Sequence, residues 1–110
     1  MSSSFSPRID IRDETEEGAY VVSVDDERAG KAEYLVREGR HVFVHTEVDD
    51  GHAGSGLAAQ LIRFALDDVR SRGGLVVPIC PYVSAYIKRH PEYEDLVDHQ
   101  MTMRLKARKR

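Results

Sequence analysis

Gly54-Ser55-Gly56 stands between an extended segment, residues 41–48, and an apolar-periodic one that begins at Leu57. Strand, glycine loop and helix start together form an anion-binding device. Glycines let backbone come close to a ligand, and the first-turn amides of a helix have no acceptor inside it. Those amides, at the positive end of the helix dipole, favour phosphate. The plain alternative is a tight turn into a helix. A nucleoside-triphosphate loop needs Lys-Ser/Thr after its second glycine, and Leu57-Ala58 stand there instead. A dinucleotide fingerprint needs a third glycine inside a parallel βαβ unit. Ala59 takes that place, and the segments before the loop read as antiparallel.

The elements around the loop follow from periodicity. Residues 1–7 are Ser-rich and read as a flexible N-terminus. Ile9 and Ile11 alternate with charged residues as a short edge strand. Residues 19–24 are β-branched and aromatic, and end at the turn Asp25-Asp26-Glu27. Residues 28–36, closed by Glu38-Gly39, and residues 41–48 complete an antiparallel meander. In the last of these strands Val42, Val44, Thr46 and Val48 alternate with Phe43, His45 and Glu47, and the acidic turn Asp49-Asp50-Gly51 follows. The period then changes. Leu57, Ala58, Leu61, Ile62, Ala65, Leu66 and Val69 form one helical stripe that Gly73-Gly74 stops.

Residues 75–79 form an apolar strand, parallel to its neighbour because a helix connects the two. Pro78 has no ladder donor and fits only if the strand splays away there. Pro81 starts a second helix, which ends near His90 because Pro91 follows. Residues 93–103 are expected to supply a last strand, and residues 104–110, with five basic residues in seven, a solvated C-terminal tail. The domain proper is then residues 8–103.

A chain of 110 residues makes one domain with a real core. No apolar run approaches the roughly 18 residues that cross a bilayer. The opening MSSSFSPR lacks the regions of a secretory signal, and Cys80, alone, excludes an internal disulfide and fits a reducing compartment. A cytoplasmic protein without membrane association is expected, as a monomer or weak dimer. The net charge is −3, but residues 1–50 hold 13 acidic and 6 basic residues, leaving 6 and 10 for the remainder. The positive excess therefore falls in the half with the glycine loop, where it helps hold a polyanion. Without tryptophan or an aromatic–basic strip, nucleic acid is not an expected partner. His41, His90 and His99 show no metal-ligand spacing with Cys80, so no metal is expected.

HTEVDDGHAGSGLAAQLIRFALDDVRSRGGLVVPICPYVSAYIKRHPEY, residues 45–93, resembles the core of the GNAT superfamily of acetyl-CoA-dependent N-acyltransferases. It is most like the small stand-alone members marked by HTEV, a short spacer, RGxG, and later a cysteine before a Tyr-containing helix. The likeness extends over residues 19–93. The resemblance implies an α/β (α+β) fold with a mixed sheet: an antiparallel front half, then strand, helix, strand and helix, the fourth and fifth strands parallel and splayed. It implies acetyl-CoA (or CoA) as cofactor, bound with its pantetheine arm in the opening, and acetyl transfer to a primary amine of a small molecule or protein. The alternative is a non-catalytic acyl-CoA-binding module, since the chain lacks the helical insertion with which larger relatives shape an acceptor site.

On that resemblance Ala53, Gly54, Ser55, Gly56, Leu57 and Ala58 are assigned to the pyrophosphate through backbone amides, and Val48 to the pantetheine through its main chain. The superfamily loop usually begins with Arg or Gln and carries Arg before its first glycine. Gly51 and Ala53 stand there, which weakens binding without abolishing it, because backbone amides do most of the work. Cys80 falls where the thioester should rest, as an acetyl-carrying nucleophile, as a neighbour of the thioester or as a small buried hydrophobe. His45 or Glu47 is the candidate base, and Tyr86 aligns with the family's acid, or else packs the helix.

Overall fold

Two tight hairpins set the register of the front half. In the computed structural model, which describes residues 7–52 and 55–108, β2 (Ala19–Val24) joins β3 (Glu27–Arg37) through Asp25-Asp26, and β3 joins β4 (Arg40–Val48) through Glu38-Gly39. Both central residues of each turn are left-handed, the geometry that matches the twist of paired strands. With β1 (Ile9–Glu14) at the edge and β5 (Leu75–Pro78) at the other end, the sheet runs β1-β2-β3-β4-β5, antiparallel except for the parallel β4–β5 pair. The mixed sheet read from the sequence is the one observed.

Two bulges interrupt this register. Ala29 is the extra residue of β3 against β2, and Val44 the extra residue of β4 against β3, where Tyr34 pairs with Phe43 but Glu33 with His45. An extra residue reverses which side chains face inward. The single alternation expected along β4 is therefore corrected. Phe43 and, beyond the bulge, Val48 pack on the main core, whereas Val42 packs on the opposite face.

The apolar stripe becomes α1 (Leu57–Ser71). Its Leu57, Leu61, Ile62, Ala65, Leu66 and Val69 are buried against Tyr20, Val22, Tyr34 and Phe43 of the sheet. Its end is a Schellman closure: Gly73 N donates to Arg70 O and Gly74 N to Val69 O, each at 3.0 Å. α2 (Pro81–Arg89) joins the same core through Val83, Tyr86 and Ile87.

The last strand expected over residues 93–103 does not form. A 3-10 helix, Pro91–Leu96, drops Tyr93 and Leu96 into the core, and Val97 makes only an isolated bridge to Val76. Asp98 then starts α3 (His99–Arg108), its Oδ1 accepting from Met101 N at 2.9 Å and its Oδ2 from Arg40 Nε at 2.7 Å. Both interactions hold the Asp98 carboxyl below the usual range, the Met101 amide first. Met101 and Leu105 cover Val42 and Val77 on the second face, so Arg104, Lys106 and Arg108 belong to a helix that packs on the sheet. The expected flexible residues 1–6 and the final basic residues 109 and 110 lie outside the described residues. Among the described residues no helix is long and apolar enough to cross a membrane.

Phenol–carboxylate bonds join α1 to the sheet, β3 to β1, and the 3-10 helix to α1. Tyr20 Oη donates to Asp68 (2.7 Å) and Tyr34 Oη to Asp13 (2.5 Å), while Arg72 bridges the two carboxylates at 2.8 and 3.2 Å. Tyr93 Oη donates to Asp67 at 2.7 Å, beside a two-pronged Arg70–Asp95 pair. Burial, and secondly the carboxylate partner, raises all three phenols, Tyr93 to about 12. The native state thus keeps these protons longer than the unfolded chain does. Their contribution to stability is complete below the ordinary tyrosine value of about 10 and is lost as pH rises through the folded values. Urea midpoints should fall steadily above about pH 10, with a shallower fall in Tyr93→Phe. Parallel declines in the two proteins would contradict this.

Candidate functional site

β4 is paired on both edges only as far as Phe43. The parallel ladder runs from Arg40↔Leu75 to Phe43↔Pro78, and Cys80 N closes it by donating to Phe43 O at 2.8 Å. Pro78, with no amide to give, occupies the last rung. Residues 44–48 continue alongside β3 without a β5 partner. This is the splay that the proline suggested.

Cys80 stands at the mouth of that opening. It takes the N-cap position of α2, its carbonyl accepts from Ser84 N at 3.0 Å, and the residue is 4% exposed. Its Sγ lies 3.3 Å from Thr46 Oγ1. Neighbouring side chains on a strand point to opposite faces, so His45 and Glu47 turn to the other side of the sheet. There they are more than half exposed and hydrogen-bonded to each other at 3.0 Å. Cys80 therefore meets Thr46 rather than His45 or Glu47. Thr46 belongs to the HTEV motif, but strand periodicity assigns it no role; only the Val44 bulge brings it inward.

Tyr86 is 5% exposed, with its ring stacked on His90 (centroids 4.2 Å apart) and tilted against Tyr93. Burial raises its hydroxyl above the usual phenol value, so the phenol stays protonated near neutral pH. No hydrogen-bond partner of that hydroxyl occurs among the described residues.

At the start of α1, Gly56 takes the N-cap position with φ 80°, a left-handed conformation that suits glycine, and no side chain caps the helix from there. Leu57 N donates to Ser55 Oγ at 3.3 Å, and Gln60 N to Gly56 O at 3.1 Å. The first turn has no acidic residue. The amides of Ala58 and Ala59 have no acceptor one turn back in the helix, and an anion suits such an end. Ala53 and Gly54, assigned to the same loop, lie outside the described residues. Volume alone does not locate the site: a shallow groove of about 540 Å³ lies at the Arg40 end of β4, lined by Asp98, Met103 and Arg104, and contains neither the thiol nor the helix start.

Val48, at the end of β4, is held from behind by Gly30. A Cβ at position 30 would come within 2.7 Å of Glu47 O and 3.0 Å of Val48 Cγ2. A glycine inside a strand marks such a close approach, and Gly30 is that signal in the sequence.

A family model described as GCN5-related N-acetyl-transferase matches residues 19–96, from β2 through the 3-10 helix after α2. No curated protein matches the chain.

Because the atoms facing Gly30 are largely backbone, Gly30→Ala should cost roughly 1–3 kcal/mol, read as a lower urea midpoint. Gly51→Ala, whose Cβ would meet nothing within 4 Å, serves as the control and should leave the midpoint near that of the wild type. An unchanged midpoint in Gly30→Ala would contradict the close approach.

Proposed function

The chain belongs to the GCN5-related N-acetyltransferase family, and from that premise we propose that it binds acetyl-CoA and moves the acetyl group to a primary amine of a small molecule or protein. The observation that carries this reading is the conjunction of two features on either side of β4's free end. One is the helix start at Gly56, which has no side chain to cap the helix and where Ser55 Oγ takes the Leu57 amide; the other is the opening beyond Phe43 and Pro78, with Cys80 at its mouth. An anion at the first and an extended arm in the second are what a CoA thioester requires.

Each residue then has a task. The amides of Gly56, Leu57 and Ala58, with the flanking Ser55, Ala53 and Gly54, hold the pyrophosphate. From residue 44 to Val48 the edge of β4 turned away from β3 offers main-chain donors and acceptors to the pantetheine amides. When bound, acetyl-CoA supplies an acyl group on a good leaving thiolate. The exposed Glu47–His45 pair takes a proton from the acceptor's ammonium so that the free amine can attack, and Tyr86, kept protonated by burial, would give a proton to the leaving thiolate from the helical side. Cys80 sits beside the thioester. The other reading, a binding module without turnover, shares the cofactor site and differs only in the acceptor step.

Thermal melting with CoA, acetyl-CoA, ATP and NAD in parallel tests the reading. A ligand at a hundred times its Kd adds about 2.7 kcal/mol, or roughly 10 °C for a domain of this size. The midpoint should rise with CoA and acetyl-CoA and stay level with NAD. A flat response to CoA at millimolar concentration would sink the proposal. An equal rise with ATP and NAD would reduce it to general phosphate binding.

A further inference from the structure

We propose that the Thr46 hydroxyl is the positioning group for the Cys80 thiol. The inference rests on reading the β4–β5 opening as the acetyl-donor site, and it assigns a role to the one inward-facing polar side chain of the HTEV motif. The backbone of Cys80 is fixed at both ends: its amide donates to Phe43 O, its carbonyl accepts from Ser84 N, and Pro81 follows. One torsion remains, χ1, and it points Sγ at Thr46 Oγ1, 3.3 Å away. Thr46 is itself held in register opposite Ala32, and as a β-branched residue it has few rotamers.

A neutral thiol can give or accept the hydrogen in this pair. A thiolate can only accept, so whenever Cys80 loses its proton Thr46 becomes the donor, in a charge-assisted bond of the stronger kind. His45 and Glu47 point to the other face and cannot do this. The bulge at Val44 is what brings the hydroxyl in place of the imidazole.

Cys80 is the only cysteine, so alkylation by iodoacetamide, followed by intact mass without any cofactor, reports on it alone. Thr46→Val keeps the shape and removes the hydroxyl; Thr46→Ser keeps the hydroxyl. At pH 8 the Val variant should react about tenfold more slowly than wild type, the worth of one charge-assisted hydrogen bond, and the Ser variant about as fast as wild type. Loosened packing alone would act in the opposite direction, exposing the thiol and raising the rate. A rate in Thr46→Val equal to or above wild type overturns the proposal, and if that variant does not fold, Thr46→Ala is judged by the same criterion. Because no CoA is present, a negative result here is distinct from failure of the melting shift, which would strike the acetyl-donor reading itself.

Discussion

A strand in the middle of a sheet satisfies its backbone on both edges, and β4 does so for only half its length. Parallel pairing with β5 ends at Pro78, and the amide of Cys80 provides the last bond. Beyond that point one edge of β4 carries main-chain groups that no neighbouring strand takes up. The rest of the molecule makes this tolerable. β3 pairs with β4 along its whole length, Gly30 lets the two backbones close behind Val48, and α1 is pressed onto the sheet by an apolar stripe that leaves its N-terminus beside the free end. An exposed edge is a liability unless something covers it, and the pantetheine arm is the proposed cover.

The Val44 bulge then sorts the polar residues. Without it, Thr46 would lie on the face of Val42, and His45 and Glu47 would face α1 and α2. With it, the hydroxyl reaches the thiol on the helical side, while imidazole and carboxylate meet on the open face. A single inserted residue thus puts an imidazole–carboxylate pair and a thiol on opposite sides of one strand, at the level where the sheet is open. The helices, in turn, are held by phenol–carboxylate bonds from Tyr20 to Asp68 and from Tyr93 to Asp67.

Much of this was legible in the residues. Asp25-Asp26 and Glu38-Gly39 mark their hairpins, the stripe from Leu57 to Val69 marks α1, and Pro78, Pro81 and Pro91 mark a splay, a start and a stop. The bulges were not, because one extra residue changes neither composition nor local propensity. Val42, Val44, Thr46 and Val48 keep a perfect alternation on paper while Val44 is spent on the bulge. The C-terminal segment misled for another reason. Tyr93, Leu96 and Val97 have strand-like side chains, but the helical core captures the first two, and Asp98 caps a helix whose Met101 and Leu105 fit the second face. An Asp three residues before Met101 was the available sign. The glycine loop reads as a candidate anion site whose ligand the residues alone do not specify, since backbone amides donate to many phosphates.

The central claim is that the free end of β4 and the start of α1 form one ligand site. Backbone amide chemical-shift changes on titrating CoA into isotopically labelled protein test it most directly. The largest changes should fall together on residues 44–48, residues 55–59 and Cys80, with β1 and the outer face of α3 unmoved. Changes centred on the Arg40–Arg104 groove, or spread without focus, would contradict it.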